Sequence, residues 1–248
     1  TWKMGSTWGD GNIHFTCDER FSELVSQLTD GRFTITNYPE GQSESFQVEN
    51  NPNRPEDGTR EVTFSRELYI EAEDFLETPV PKYKRLFPGG PECRLKGAYL
   101  IKCVGYETDE NGNVTEIAAE YDPDSRGGAP ADGRKVKGAT LHWVDAATAI
   151  DAEVRVYSEL FSDPAPDGAD KDFLACMNPD SLETLTGCKV EARMRDVAAE
   201  YDKTEKQGKT APSFQFMRLG YFCLDNKDCS ADHLVFNRSV TLKDSFKV

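Results

Sequence analysis

AYLIKCVGYETDENGNVTEIAAEY, residues 98–121, decides the fold class. Two runs rich in Tyr, Ile, Val and Thr flank DENGN, where Asn111-Gly112 supplies residues that tolerate positive φ, so 98–106 and 114–121 are predicted to form an antiparallel hairpin. The same grammar extends outward in both directions. FTITNY, EVTFSRELYIEA, ATLHWVDA, EVRVYSEL, FQFMRLGYFCL and HLVFNRSVTL are short β-branched or aromatic runs, mostly bounded by Gly, Pro, Asn or Asp. The chain therefore reads as mainly β. Barrels are the natural architecture for so many short strands, because closure removes unpaired edges.

One segment departs from this pattern. In CDERFSELVSQLTDG, Phe21, Leu24, Val25 and Leu28 recur at helical spacing, with Gly31 after them, which predicts a short amphipathic helix over 17–28. The preceding TWKMGSTWGDGNIHFT has no assignable pattern. DPDSRGGAPADGRKVKG is dense in turn formers and reads as a connection near the junction of two barrels, and SDPAPDGADKD is a second loop.

At 248 residues the chain is long enough for two modest domains, with 38% hydrophobic and 29% charged residues, a globular balance. No apolar run approaches the roughly 20 residues of a membrane span, and the first residues lack the pattern of a secretory leader; a cytoplasmic protein is expected. Cys17, Cys93, Cys103, Cys176, Cys188, Cys223 and Cys229 form no CxxC pair, and His14, His142 and His233 are scattered, so no metal site is expected and the thiols read as reduced. The net charge of -15 excludes binding of nucleic acid by the whole surface. A local basic stripe on acidic flanks remains compatible with RNA.

Such a stripe exists. Between residues 82 and 96, Lys82, Lys84, Arg85, Arg94 and Lys96 face only Glu92. In a strand, Arg94 and Lys96 share one face while Leu95 points to the other, with Tyr99, Ile101 and Cys103 of the following strand on that inward side. Taken alone, a cluster like this is ordinarily a solvated strand face.

TITNYPEG, KYKRL followed by CRLKGAYLIK, DGRKVKG running into LHWVDA, EVRVYSELF, FQFMRLGYFCLD and HLVFNRSVTLKDS together resemble the C-terminal, anticodon-binding part of glutaminyl-tRNA synthetases, from about residue 33 to the end and in unbroken order. The resemblance implies a proximal and a distal β-barrel clamping an unpaired anticodon loop, divided here as an N-terminal extension 1–31 with its helix, a proximal barrel 32–140 plus 236–248, and a distal barrel 141–235. It implies recognition of tRNA(Gln) in support of ATP-dependent glutaminylation during translation, with a catalytic domain of the same synthetase as partner. The two signature motifs of class I catalytic domains do not occur; Lys3-Met4-Gly5-Ser6 is a chance likeness to one of them. No cofactor is expected on this chain, ATP and Mg belonging to the catalytic domain, and neither DNA nor a membrane is an expected partner. A monomer is expected.

By the same resemblance, Arg85 stands where an arginine contacts the third anticodon base, a guanine whose O6 and N7 suit a guanidinium fork. Arg94 stands where the first base is contacted, with Lys84, Lys96 and Asn53 beside it. Gln215 matches a glutamine that pairs with the central uracil, whose edge needs both a donor and an acceptor. Arg218 and Ser245 fall on further contact positions. Lys96 replaces a common arginine, Gly97 a common asparagine, and the family's arginine-bearing helical segment before TITNYPEG is missing.

Lys82 is assigned to phosphate. Arg134, Lys135 and Lys137 have two readings, phosphate contact or support of barrel closure. Gln215 and Arg218, three apart, would point to opposite faces of a regular strand, so a bulge intervenes or one lies past the strand end. Phe214, Phe216, Tyr221 and Phe222 invite a stacking role, but aromatic residues of a barrel are mostly core. Two other functions compete: a free-standing paralogue acting as a general RNA-binding or protein-interaction scaffold, favoured by the acidic charge, and an all-β hydrolase using the acidic loops, which explains none of the motif order.

Overall fold

A computed structural model of the chain describes residues 32–168, 170–202 and 210–242. The helix expected at 17–28 and the contact position Ser245 lie outside the described residues. Among those described the chain is mainly β, with fourteen strands and one α-helix, and it divides into two compact units between Ala149 and Ile150.

The first unit holds β1 (Arg32–Ile35), β2 (Ser43–Glu49), β3 (Thr59–Ser65), β4 (Glu67–Ile70), β5 (Cys93–Leu95), β6 (Leu100–Thr108), β7 (Val114–Asp122), β8 (Thr140–Leu141) and β9 (Trp143–Asp145). Seven of these form one sheet in the order β8-β5-β6-β7-β1-β4-β9. Its two end strands, β8 and β9, are separated in the chain by His142 alone. A sheet whose opposite edges are joined by one residue must curl round on itself, and it forms a nearly closed barrel.

The β6–β7 hairpin is built as its turn requires. Asp109 Oδ1 accepts from the backbone N–H of Asn111 at 2.9 Å and of Asn113 at 2.8 Å, and Gly112 adopts φ 83°. Asn111 keeps negative φ, so Gly112 alone uses the left-handed region.

The core of this unit is aromatic. Phe64 is fully buried, with ring centroids 5.2 Å from Tyr38, 5.2 Å from Trp143 and 5.3 Å from Tyr99. Each such pair contributes about 0.5–1.5 kcal/mol beyond area burial. The β2–β3 hairpin, in register from Ser43↔Ser65 to Glu49↔Thr59, carries Phe46 and Phe64 into this core. Glu44 fastens it there, accepting from Tyr99 Oη at 2.8 Å, Tyr38 Oη at 3.2 Å and Arg126 Nε at 3.1 Å. Burial, together with the Glu44 carboxylate, pushes the Tyr38 phenol up to about 12.

The second unit holds β10 (Ile150–Tyr157), β11 (Leu182–Val190), α1 (Arg193–Asp202), β12 (Ser213–Phe216), β13 (Gly220–Leu224) and β14 (Leu234–Val240). The strand order is β11-β10-β14-β13-β12, with β10 and β14 parallel and the other pairs antiparallel. Phe236, Leu224, Phe222, Leu234 and Val235 fill its core. Helix α1 packs against β14 through this core, presenting Met194, Val197, Ala198 and Tyr201 at spacings of three and four. That spacing is legible in the sequence, and the helix is an addition to the strand-only reading of this region.

Strand pairing moves two of the expected boundaries. Residues 141–145 belong to the first sheet, because β9 pairs with β4 in register Leu68↔Asp145 and Trp143 fills the first core. Residues 236–240 belong to the second, because β14 lies parallel to β10 with Val154↔Phe236 in register. A strand's domain is decided by the partner that takes up its backbone hydrogen bonds, which composition does not reveal.

Candidate RNA interface

In the first unit, backbone hydrogen bonds lay four stretches of chain side by side. Leu86 N–H donates to Asp74 O at 2.9 Å, Ala139 N–H to Lys84 O at 2.8 Å, Arg94 N–H to Ala139 O at 2.9 Å and Lys96 N–H to Leu141 O at 3.0 Å. With adjacent strands about 4.8 Å apart, Lys84 and Arg94 stand roughly 10 Å from one another across the 138–141 stretch. Gly138 makes this possible. A Cβ there would lie 2.2 Å from Glu92 O and 2.7 Å from Cys93 Sγ, so only glycine lets the chain approach β5 so closely.

Alternation in β5 is as the sequence implies. Cys93 and Leu95 are buried, Arg94 is half-buried and Lys96 is exposed just past the strand end. Arg94 directs Nε to the carbonyl oxygen of Gly128 and Nη1 to Thr140 Oγ1 at 3.4 Å, which leaves Nη2 with no partner among the described residues. Arg85 is held similarly. Its Nη1 donates to Glu73 O at 2.9 Å and lies 3.5 Å from the carboxylate of Asp74, which is fully buried. Both forks are anchored at one end, and an anchored guanidinium loses less freedom when it meets a ligand.

The lysines differ. Lys82, Lys84, Lys96, Lys135 and Lys137 are exposed, and their ammonium groups have no hydrogen bond or ion pair among the described residues. Glu92, the single acid within the basic stretch, is spent elsewhere: Arg134 grips it with Nε–Oε2 and Nη2–Oε1 both at 2.9 Å, and also reaches Asp122 at 2.6 Å and Asp132 at 3.0 Å. Hydrogen bonds to Glu92, Asp122 and Asp132 hold the Arg134 guanidinium well above its ordinary range. Of the two readings for this segment, the geometry at Arg134 is that of loop closure, since its donors are committed to carboxylates. By taking up Glu92 it also neutralises the one acid of the 82–96 stretch.

Asn53 lies in the loop joining β2 to β3, its side chain exposed and its N–H donating to Asn51 Oδ1 at 3.0 Å. That end of the hairpin adjoins the turn after β5, where a Cβ on Gly97 would lie 3.5 Å from Val48 Cγ2.

Gln215 and Arg218 belong to the second unit. Gln215 is exposed on β12, and Phe216↔Gly220 closes the ladder, so Arg218 sits in the connecting turn with φ 69°. The facing conflict is thereby resolved in favour of a position past the strand end. Phe214 and Phe216 pack on Phe236 with ring centroids 6.2 and 5.2 Å away, and Phe222 stacks on Phe216 at 4.3 Å. Those three are core. Tyr221 is not, with 45% of its surface exposed.

Two family models, each described as the anticodon-binding domain of class I tRNA synthetases for Glu and Gln, match residues 29–122 and 140–225. The chain belongs to this family. It is 48% identical over 230 residues to a glutamine–tRNA ligase of Bordetella avium, covering 92% of this chain and 37% of that protein. It is 50% identical over 218 residues to a glutamine–tRNA ligase of Clostridium kluyveri, covering 88% of this chain and 37% of that protein. A glutamine–tRNA ligase of Aliivibrio fischeri is 50% identical over 229 residues, 92% of this chain and 39% of that protein. The chain thus spans well under half the length of these relatives. No group of three His, Cys, Asp or Glu side chains among the described residues is placed to hold a metal ion. No helix among the described residues is long and apolar enough to cross a membrane.

Proposed function

We propose that the chain reads the anticodon of glutamine tRNA in support of ATP-dependent glutaminylation by a catalytic domain of the same synthetase, acting as a monomer in the cytoplasm. ATP and Mg are handled by that catalytic domain. The observation that carries the reading is the unopposed positive surface at Lys84, Lys96 and Lys137 beside two half-anchored arginines, on a chain of net charge -15. Acidic flanks repel the phosphate backbone, so RNA settles where the lysines lie.

Unpaired anticodon bases expose their edges as paired A-form helices do not. The free end of the Arg85 fork suits O6 and N7 of the third base, guanine. Arg94, with Lys84, Lys96 and Asn53, takes the first base. Gln215 offers the central uracil an acceptor and a donor from one amide. Arg218 and Ser245 add contacts, and Lys82, Lys135 and Lys137 neutralise phosphates.

Filter binding at several salt concentrations, comparing glutamine tRNA with an anticodon-swapped version, tests this reading. Tighter binding of the glutamine anticodon is expected. Equal binding of both overturns anticodon reading and leaves a general RNA-binding scaffold.

A further inference from the structure

Gln215 has a neighbour that its strand face makes unavoidable. In the antiparallel ladder its register partner on β13 is Tyr221, and the partner of Tyr221 on β14 is Val240. The three side chains form a single row across the sheet. All are solvent-facing, Tyr221 at 45% and Val240 at 58% exposure. Among the described residues Tyr221 enters no ring pair and its hydroxyl has no hydrogen-bond partner. The other three aromatic residues of this hairpin, Phe214, Phe216 and Phe222, all turn towards the core.

An isolated exposed tyrosine is commonplace. One in register with a base-reading glutamine has a defined geometry. Opposite residues of an antiparallel pair hold their Cβ atoms about 4.5–5.5 Å apart, so the phenol ring lies beside the amide. A base that turns its Watson–Crick edge to the Gln215 amide has the Tyr221 ring within reach of its face. Val240 continues the apolar surface on the far side.

We propose that Tyr221 is the stacking surface for the central anticodon base, a role that rests on the reading of Gln215 given above. The two side chains divide the work. Gln215 supplies identity through directional hydrogen bonds, whereas stacking is tolerant of sequence because every base has a π face, so Tyr221 supplies affinity.

The test uses the full chain with Tyr221→Ala, Tyr221→Phe, Tyr221→Leu and Gln215→Ala, each checked for an unchanged circular-dichroism melt. The probes are a glutamine tRNA transcript, one with the central base changed, and one abasic at that position. Tyr221→Ala is expected to weaken binding about tenfold, equivalent to about 1.4 kcal/mol, within the range for one stacked base. The loss is the same for the base-changed transcript and vanishes for the abasic one. Tyr221→Phe keeps the affinity, and Tyr221→Leu, which keeps bulk without a π face, loses most of it. Wild-type affinity in Tyr221→Leu, or an undiminished effect of Tyr221→Ala on the abasic transcript, overturns stacking even where Gln215→Ala abolishes central-base discrimination. Discrimination left intact by Gln215→Ala overturns the reading of Gln215 instead, and the abasic comparison still decides whether Tyr221 stacks.

Discussion

The two sheets treat their edges differently. The first brings its end strands β8 and β9 within one residue of each other and nearly closes, whereas the second ends on β11 and β12, well separated in the sequence, and sets α1 against its core. Closure has a consequence for charge. In the first unit the basic residues are carried on stretches locked side by side by backbone hydrogen bonds, so Lys84, Arg94 and Lys96 keep fixed separations. The second unit offers a strand face, where register alone sets Gln215 beside Tyr221. Backbone-locked stretches suit the spacing of charges; a row across a strand face suits the cradling of a flat base.

The two cores carry the largest expected effects. Phe64→Ala removes the fully buried ring at the centre of the first core and is expected to cost about 3–5 kcal/mol, and Phe236→Ala a similar amount in the second. Hydrogen exchange should place each loss of protection in its own sheet; uniform loss in both would show that the cores are not separate.

Base reading comes next. Arg85→Ala is expected to weaken binding of glutamine tRNA by about 1–3 kcal/mol and relax the preference at the third base, while Arg85→Lys keeps the charge but not the fork and restores affinity without selectivity. Arg134→Ala should do less. It releases the Glu92 carboxylate within the basic stretch, lowering affinity for all tRNAs at low salt and leaving base preference intact. A change in base preference in this variant would assign Arg134 to the interface itself.

Alkali probes the hairpin clasp. The Tyr38 phenol is raised from 10.0 to about 12 in the fold, so its neutral form is favoured there; the stability this contributes is complete below pH 10 and is lost as pH rises towards 12. Tyrosinate absorbance set against urea midpoints over that window should show the loss, and Tyr38→Phe should reduce it, the remainder coming from Tyr99 and Tyr121, whose phenols burial also pushes up. The smallest effect belongs to Lys82→Ala, which should lower affinity for all tRNAs alike and flatten the salt slope by about 0.7–1. Behaviour identical to Arg85→Ala would erase the distinction between base and phosphate roles.

Much of this architecture was written locally. The β6–β7 hairpin could be read from Asn111-Gly112 between two β-branched runs, and the outward lysines from the alternation around Leu95. Strand β2, SESFQVE, escaped because Phe46 and Val48 are its only apolar residues. Strand β11, LETLTGCKV, is mostly half-exposed and lacks a clear alternation.

Residue type and near neighbours set the mainly β class and the acidic whole with its basic stripe, while the candidate base readers came from the resemblance to a family. Only the tertiary structure decided that Arg134 consumes Glu92 across 42 positions, that Arg94 is tethered to Gly128 across 34, and that Tyr221 turns outward beside Gln215. Charge balance and strand register are properties of which distant segments meet, and a partner dozens of residues away leaves no local mark.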